Sequence, residues 1–128
     1  MEYAEGGDLS TIIKEVKATR VSLRESLIWS FCKMICSGLD HLHSLNVIHK
    51  DIKPQNILLT ADKTIKLVDF GVSQAYSAHL GFNQVSKAGT PLFTAPELIK
   101  KLPYDDKVDA WALGCVLYLL ACGEPPFF

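Results

Sequence analysis

The chain has 128 residues, 48% of them hydrophobic, and a formal net charge of −1. That length suits one compact domain, and the apolar content is too high for a disordered segment. A charge this close to zero gives no basis for binding nucleic acid or an anionic membrane, so neither is expected as a partner. The first residues are acidic rather than basic, so no secretory signal is expected there.

The first half of the chain predicts a turn followed by two helices. Residues 1–4 have the pattern of a strand end, residues 5–8 of a turn and residues 9–17 of a short helix. Ser22, with Glu25 three residues later, matches a capping box, so a long helix is predicted from there to about Ser44. Its apolar residues recur at helical spacing and predict one buried face. They are Leu23, Leu27, Phe31, Ile35, Leu39 and Leu42.

The second half predicts a hairpin, a long loop and an apolar helix. Residues 47–55 have no regular pattern, whereas residues 57–60 and 64–68 predict two short strands around a turn at 61–63. Residues 72–94 form a predicted long loop, and such loops in compact domains are usually functional. A helix is predicted from about Val108 to a stop before Gly123. Its apolar stretch is too short to cross a bilayer and indicates a core helix.

The cysteines and two of the histidines are given structural roles by their spacing. The four cysteines, at positions 32, 36, 115 and 122, lie within apolar helical patterns. Their spacing matches neither a zinc site nor a disulfide framework, so reduced core thiols are predicted. Reduced thiols favour an intracellular protein, cytoplasmic or nuclear. His41 and His43 are expected on the helix surface.

The residues best suited to chemistry flank the predicted hairpin. Asn56 immediately precedes it and Asp69 immediately follows it, and a hairpin returns to its starting point, so the two side chains should be neighbours. An amide oxygen and a carboxylate suit a hard cation such as Mg²⁺. Asp51 and Lys53 lie on the preceding irregular segment. An acid that can orient a hydroxyl, a lysine that can neutralise phosphate and a metal pair together indicate phosphoryl transfer.

Each of these signals is weak alone, and the combination is specific. A lone Asp-Phe-Gly is usually a turn, and a lone Asn before a strand is usually a cap or turn residue. Here HKDIKPQN (49–56), DFG (69–71), APE (95–97) and DAW (109–111) occur in that order on compatible elements. Motifs that agree in order, spacing and structural context carry a much lower risk of chance matching than any one of them.

This set of motifs resembles the catalytic half of a eukaryotic protein kinase, and the resemblance covers essentially the whole chain. Lys53, two residues after Asp51, and Thr90 in GTPLFTAPE are similar to the Ser/Thr branch. The resemblance implies an α+β fold, with a mainly helical C-terminal lobe and a short β-hairpin. It implies a partial kinase domain over 1–128, with a hinge at 1–8, a catalytic loop at 47–56 and an activation segment at 69–97. The N-terminal lobe and the last helices are expected to be absent from these residues.

The resemblance also implies roles for single residues in catalysis. Asp51 is expected to orient the substrate hydroxyl, Lys53 to contact the transferring phosphate, and Thr90 to bond both of them. Asn56 and Asp69 are expected to hold Mg²⁺. ATP and Mg²⁺ are therefore the expected cosubstrate and cofactor.

The hinge and hairpin are implied to bind the nucleotide. Glu2 and Ala4 are expected to offer backbone groups to adenine, Leu58 to pack under adenine, and Asp8 to meet the ribose. Asp109 is expected to hold the backbone of the catalytic loop.

One loop serine has both a regulatory and an ordinary reading. Ser86 lies four residues before Thr90, at a common activating phosphosite of the family; the alternative is a solvated loop serine. The arginine that usually receives such a phosphate is replaced by Lys50. Lysine cannot make the two-pronged contact of arginine, so a looser phosphate clamp, or none, is expected.

Two readings of the whole chain stay open. In the first, it comes from a longer Ser/Thr kinase that acts on protein substrates, and these 128 residues are inactive alone. In the second, it is a non-catalytic, pseudokinase-like binding module. A kinase or chaperone partner is expected to cover the exposed face of the lobe. The intact set of Asp51, Lys53, Asn56 and Asp69 favours the first reading.

Overall fold

A computed structural model describes residues 6–68, 74–75 and 91–127. The described part is mainly helical, with two small antiparallel sheets. Its helices are α1 (Leu9–Thr19), α2 (Glu25–Ser44), α3 (Pro96–Ile99) and α4 (Lys107–Cys122), with short 3₁₀ turns at Pro54–Asn56 and Pro91–Phe93. Its strands are β1 (Val47–Ile48), β2 (Ile57–Leu59), β3 (Ile65–Leu67) and β4 (Gln74–Ala75). This composition confirms the mainly helical α+β fold with a short hairpin.

Helix α1 confirms the predicted short helix and runs two residues further. Asp8 is its N-cap, and the Asp8 carboxylate accepts a hydrogen bond from the Thr11 backbone N–H at 3.2 Å. The helix ends at Arg20, which adopts a left-handed conformation (φ 56°) and donates its backbone N–H to Val16 O at 2.8 Å. This cap satisfies a carbonyl that would otherwise lack a partner at the helix end.

Helix α2 ends at Ser44 as predicted, but the predicted capping box is wrong. Arg24 is the N-cap and makes no side-chain capping bond. Glu25 is therefore the first helical residue instead of the third, and its carboxylate cannot reach back to the cap. It accepts a hydrogen bond from Trp29 Nε1 at 3.2 Å, one turn further along the helix.

The predicted apolar face of α2 is confirmed except at one position. Phe31, Ile35 and Leu39 are buried, and Leu23 and Leu42 pack against them half-buried. Leu27, by contrast, is 40% exposed. Steps of four residues rotate the face by about 40° each, which turns Leu27 away from the core near the start of the helix.

The predicted hairpin is confirmed with slightly shorter strands. Strands β2 and β3 pair antiparallel, with Ile57 opposite Leu67 and Leu59 opposite Ile65. A second pair was not predicted: β1 pairs antiparallel with β4, with Val47 opposite Ala75. Strands of two residues leave no measurable alternation in the sequence, so these segments were expected to be irregular.

Helix α4 forms the centre of the core, and its predicted end is confirmed. Gly123 adopts a left-handed conformation (φ 76°) after Cys122 and donates to Leu119 O. The largest core cluster joins α4 to α1, α2 and the residues around the hairpin. The buried residues of α4 are Val108, Asp109, Ala112, Leu113, Cys115, Val116 and Leu120. No helix among the described residues is long and apolar enough to span a membrane.

The prediction of four core thiols is only partly right. All four cysteines are free, but only Cys115 is buried; Cys32 is half-buried, and Cys36 and Cys122 are exposed. Burial raises the pKa of the Cys115 thiol. The helical pattern marked these positions as apolar without deciding which helix face each one occupies.

Candidate active site

The backbone of the segment after β1 is hydrogen-bonded to a buried aspartate of α4. Asp109 is 0% exposed. Its Oδ2 accepts the backbone N–H of His49 at 2.9 Å, and its Oδ1 accepts the backbone N–H of Lys50 at 2.9 Å. These two bonds confirm the expectation that Asp109 holds the backbone of this loop.

The His49 side chain, also 0% exposed, fixes the next peptide of the loop. Its Nδ1 accepts the backbone N–H of Asp51 at 3.1 Å, while Nε2 lies 2.9 Å from Val68 O. Because a carbonyl oxygen only accepts, Nε2 is the donor and the ring is the Nε2–H tautomer. The ring therefore joins the loop to the residue that follows β3.

Lys50 has an unusual backbone in this loop. Its φ is 70°, a left-handed value that is uncommon for a residue with a side chain. The bond from its N–H to Asp109 holds this conformation. Its Nζ lies 5.3 Å from the centre of the Tyr104 ring, within the range of a cation–π contact.

Asp51, Lys53 and Asn56 are brought together, as their spacing predicts. The Asn56 amide nitrogen donates to Asp51 O at 2.8 Å and to Asp51 Oδ2 at 3.0 Å. Lys53 Nζ lies 3.6 Å from the same Oδ2, and the two charged side chains are only 17% and 11% exposed. The 3₁₀ turn Pro54–Asn56 makes this possible, because it folds Asn56 back over the loop.

The side-chain oxygens of this group are the type of atom that binds hard metal ions. Both contacts of the Asn56 amide nitrogen go to Asp51, so Asn56 Oδ1 takes no part in them and is the atom that the predicted metal-binding role would use. Within the described part of the chain, no three His, Cys, Asp or Glu side chains converge on one point. Val68, which precedes Asp69, donates its backbone N–H to Asn56 O at 3.0 Å. Asp69 itself lies outside the described residues.

Asp8 and Leu58 are also neighbours, although fifty positions separate them in the sequence. They form an antiparallel bridge, flanked by bonds from Gly6 N to Leu59 O (3.0 Å) and from Leu59 N to Gly7 O (2.8 Å). Asp8 Oδ1 accepts from the Ser10 hydroxyl and from Thr11 N–H. Its Oδ2 receives no bond from the described residues.

Glycine is required at Gly6 for this contact. A Cβ on that residue would lie 2.7 Å from Leu59 O, a distance that real Cβ atoms do not reach. The close approach of the two backbones places the predicted nucleotide-binding residues of the turn and of the hairpin side by side.

His43 was expected on the helix surface, and that prediction is wrong. Its side chain is 21% exposed, and Nε2 donates to Asp109 Oδ2 at 2.8 Å. Its Nδ1 lies 3.7 Å from Asp106 Oδ2. Only the fold reveals this role, because Asp109 is 66 positions away in the chain. His41, two residues earlier, is exposed as expected.

The other predicted site residues lie outside the described residues. They are Glu2, Ala4, Asp69, Thr90 and the candidate phosphosite Ser86.

Comparison with known proteins agrees with this arrangement. The family model described as "Protein kinase domain" matches residues 1–128. Serine/threonine-protein kinase TIO of Arabidopsis thaliana is 44% identical over 127 residues, covering 99% of this chain and 9% of the relative. Serine/threonine-protein kinase PAK mbt of Drosophila melanogaster is 44% identical over 128 residues, covering 100% of this chain and 19% of the relative.

A third relative has a similar level of identity. Serine/threonine-protein kinase Nek3 of Mus musculus is 40% identical over 127 residues, covering 99% of this chain and 24% of the relative. The chain thus spans less than a quarter of the length of each of these three relatives.

Proposed function

This chain belongs to the protein kinase family, and on that premise we propose that it supplies the catalytic loop of a serine/threonine protein kinase. The reaction is transfer of the γ-phosphate of ATP to a Ser or Thr hydroxyl of a protein substrate. The names of the three relatives support the Ser/Thr class. No observation among the described residues favours the non-catalytic binding module.

The observation that carries this proposal is the orientation of Asp51. Asn56 and Lys53 both contact Oδ2, while the peptide N–H of Asp51 is bonded to His49. Oδ1 receives no hydrogen bond from the described residues. A carboxylate that is held by one oxygen and open at the other suits the acceptance of a hydroxyl proton.

In the proposed reaction, Asp51 Oδ1 accepts the hydrogen bond of the substrate hydroxyl and orients its oxygen towards the phosphate. Lys53, 3.6 Å from Asp51 Oδ2, offsets the charge that the phosphoryl group brings to this place. The loop needs little rearrangement, since Asp109 and His49 already hold its backbone. Such preorganisation is the main contribution of protein to phosphoryl transfer.

The proposed metal ligands are Asn56 and Asp69. The donor set fits Mg²⁺, because Asn56 offers an oxygen and Mg²⁺ prefers a few protein oxygens together with water and phosphate. When bound, Mg²⁺ neutralises phosphate charge on ATP. The contribution of the chain itself is to hold Asn56 Oδ1 in place through the two bonds from the Asn56 amide nitrogen to Asp51.

The nucleotide base and ribose are proposed to lie near the bridge between Asp8 and Leu58. Leu58 is half-buried and offers an apolar surface to adenine. Asp8 Oδ2 is the oxygen available to the ribose hydroxyls, since Oδ1 caps α1. Glu2 and Ala4 are proposed to contact adenine through their backbone groups, and Thr90 to bond the catalytic pair. The hinge, catalytic loop and activation segment are proposed at 1–8, 47–56 and 69–97.

The outer face of α4 supports the proposed partner. Trp111 and Tyr118 are 38% and 48% exposed, and Trp111 stacks on Phe127 with ring centres 5.6 Å apart. We propose that a kinase or chaperone partner covers this apolar face. A cytoplasmic or nuclear location is proposed because all four cysteines are free.

The test is a phosphotransfer assay on the native gene product with a generic protein substrate and radiolabelled ATP. Asp51→Asn keeps the shape of the side chain and removes its charge, so kcat is expected to fall by about 10²–10⁴-fold. Asp40→Asn, at an exposed position of α2, is the matched control and should keep full activity. Phosphoamino acid analysis should find phosphoserine or phosphothreonine. Full activity of Asp51→Asn, or phosphotyrosine alone, would overturn the proposal.

A further inference from the structure

Two thiols lie one helical turn apart on α2, in a part of the helix that the proposed reaction does not use. Cys32 and Cys36 are both free; Cys32 is half-buried and Cys36 is exposed. Residues four apart on an α-helix share a face, with Cβ atoms roughly 5–6 Å apart. Both sulfur atoms can therefore reach a single ligand without any change in the backbone.

The Cys32 thiol acts on its neighbour along the helix. Partial desolvation, and after it the Cys32 thiol, raises the pKa of the Cys36 thiol above its ordinary value of 9.0. A ligand that binds both sulfur atoms has to displace the thiol protons, which favours a soft ion with a high affinity for thiolate.

We propose that Cys32 and Cys36 form a two-sulfur site for a soft monovalent ion, with Cu(I) as the best match. Thiolate ligands select Cu(I), zinc and iron–sulfur clusters among the biological metals. Structural zinc takes four protein ligands, and no third His, Cys, Asp or Glu joins the pair within the described residues. An ion that accepts two sulfur ligands fits this donor set best.

The binding reaction balances in atoms and charge, and no atom changes its oxidation state. Two S–H bonds break, two Cu–S bonds form, and two protons pass to the solvent. Affinity should therefore rise with pH, because protons compete with the ion for both sulfur atoms. The ion links adjacent turns of α2 and does not depend on the activity proposed above.

The test is a competition titration of the reduced native protein with Cu(I), in the absence of oxygen, against a coloured Cu(I) chelator. One Cu(I) per chain should be withheld from the chelator by this pair. Cys36→Ser and Cys32→Ser should each weaken that binding by roughly a hundredfold, because the second ligand on a rigid helix acts at a high effective concentration. Cys122→Ser, at an exposed thiol near the end of α4, is the matched control and should change nothing.

X-ray absorption at the copper edge provides a second readout, with two sulfur neighbours expected around the ion. Circular dichroism checks that each variant is folded; since Cys36 is exposed, Cys36→Ser should leave the fold intact. The proposal is overturned if Cys36→Ser keeps full affinity, if Cys122→Ser loses as much as Cys36→Ser, or if no Cu(I) is withheld.

Discussion

The loop at 49–56 and the tip of the hairpin at 60–64 are each bonded to the carboxylate of an aspartate. The two aspartates differ in how far along the chain they lie from the residues they bond. In the loop, His49 and Lys50 donate their backbone N–H groups to Asp109 of α4, which lies 60 and 59 positions later in the chain. At the hairpin tip, Asp62 is bonded by Thr60 and Thr64, each two positions away. Asp109 is fully buried, whereas Asp62 is exposed.

This difference shows how a reactive loop is held in a small helical lobe. The hairpin tip carries its own bonding partners, so it can form wherever its strands pair. Both turns contain a left-handed residue, Lys50 (φ 70°) in the loop and Lys63 (φ 64°) at the hairpin tip. The N–H of Lys63 bonds the nearby Thr60 O. The N–H of Lys50 instead bonds Asp109 of α4, so the loop geometry depends on the docking of α4. We therefore expect stability and the geometry of the proposed active site to be coupled through Asp109, and only weakly through Asp62.

The largest expected effect is that of Asp109→Ala. The substitution leaves the buried N–H groups of His49 and Lys50 without an acceptor, and removing one member of a buried polar network typically costs about 3–5 kcal/mol. Urea denaturation followed by circular dichroism measures the loss. The exposed acid Asp40, changed to Ala, is the control. Equal unfolding midpoints for the two variants would show that the buried carboxylate does not hold the loop.

The next effect is that of His43→Leu. This change removes one of the three donors to Asp109 and puts an apolar side chain in its place, so a loss of about 1.5–3 kcal/mol is expected for a bond to a charged group. The same urea experiment measures it, with His41→Leu at the exposed neighbouring position as control. A free energy of unfolding no lower than that of the control would place His43 outside the network.

A smaller effect is expected at Asp8, which joins the turn at 6–8 to α1. Asp8→Ala removes the N-cap and should lower the free energy of unfolding by about 1 kcal/mol. Asp8→Asn keeps a capping side chain and should lower the free energy of unfolding by only a few tenths of a kcal/mol. Parallel denaturation curves separate the two variants. If they are equally destabilised, the carboxylate charge matters more than the cap.

The smallest effect concerns Asp62 and appears only at acidic pH. Bonds from the Thr60 and Thr64 hydroxyls lower the pKa of Asp62 below its ordinary value of 3.8. A carboxyl group whose pKa is lower in the folded state stabilises the fold fully at a pH above its pKa in the unfolded state. That stabilisation is lost as the pH falls through the pKa of the folded state. The difference in the free energy of unfolding between the wild type and Asp62→Asn should therefore be constant near neutral pH. It should become smaller as the pH falls below the ordinary pKa of 3.8. A difference that is unchanged down to the lowest pH at which the protein folds would contradict this.

Much of this molecule was determined by local sequence. The start of α1 follows from Asp8 and the end of α4 follows from Gly123. The hairpin follows from two short strand-like segments around a polar turn. The grouping of Asp51, Lys53 and Asn56 follows from their spacing, because all three lie within six residues of one another. Where a feature depends on neighbours in the chain, its pattern is present in the sequence and can be read there.

The tertiary structure alone decided which side chains meet across long separations. It turned Leu27 and Cys36 towards solvent and placed His43 under the loop, although each lies in a helix whose period was correctly predicted. Periodicity gives the spacing of a face but not the partner it meets or where the core ends. The resemblance predicted that Asp109 would hold the loop, but no local pattern predicts that His43 also bonds this carboxylate. That contact depends on α4 docking against the segments before it.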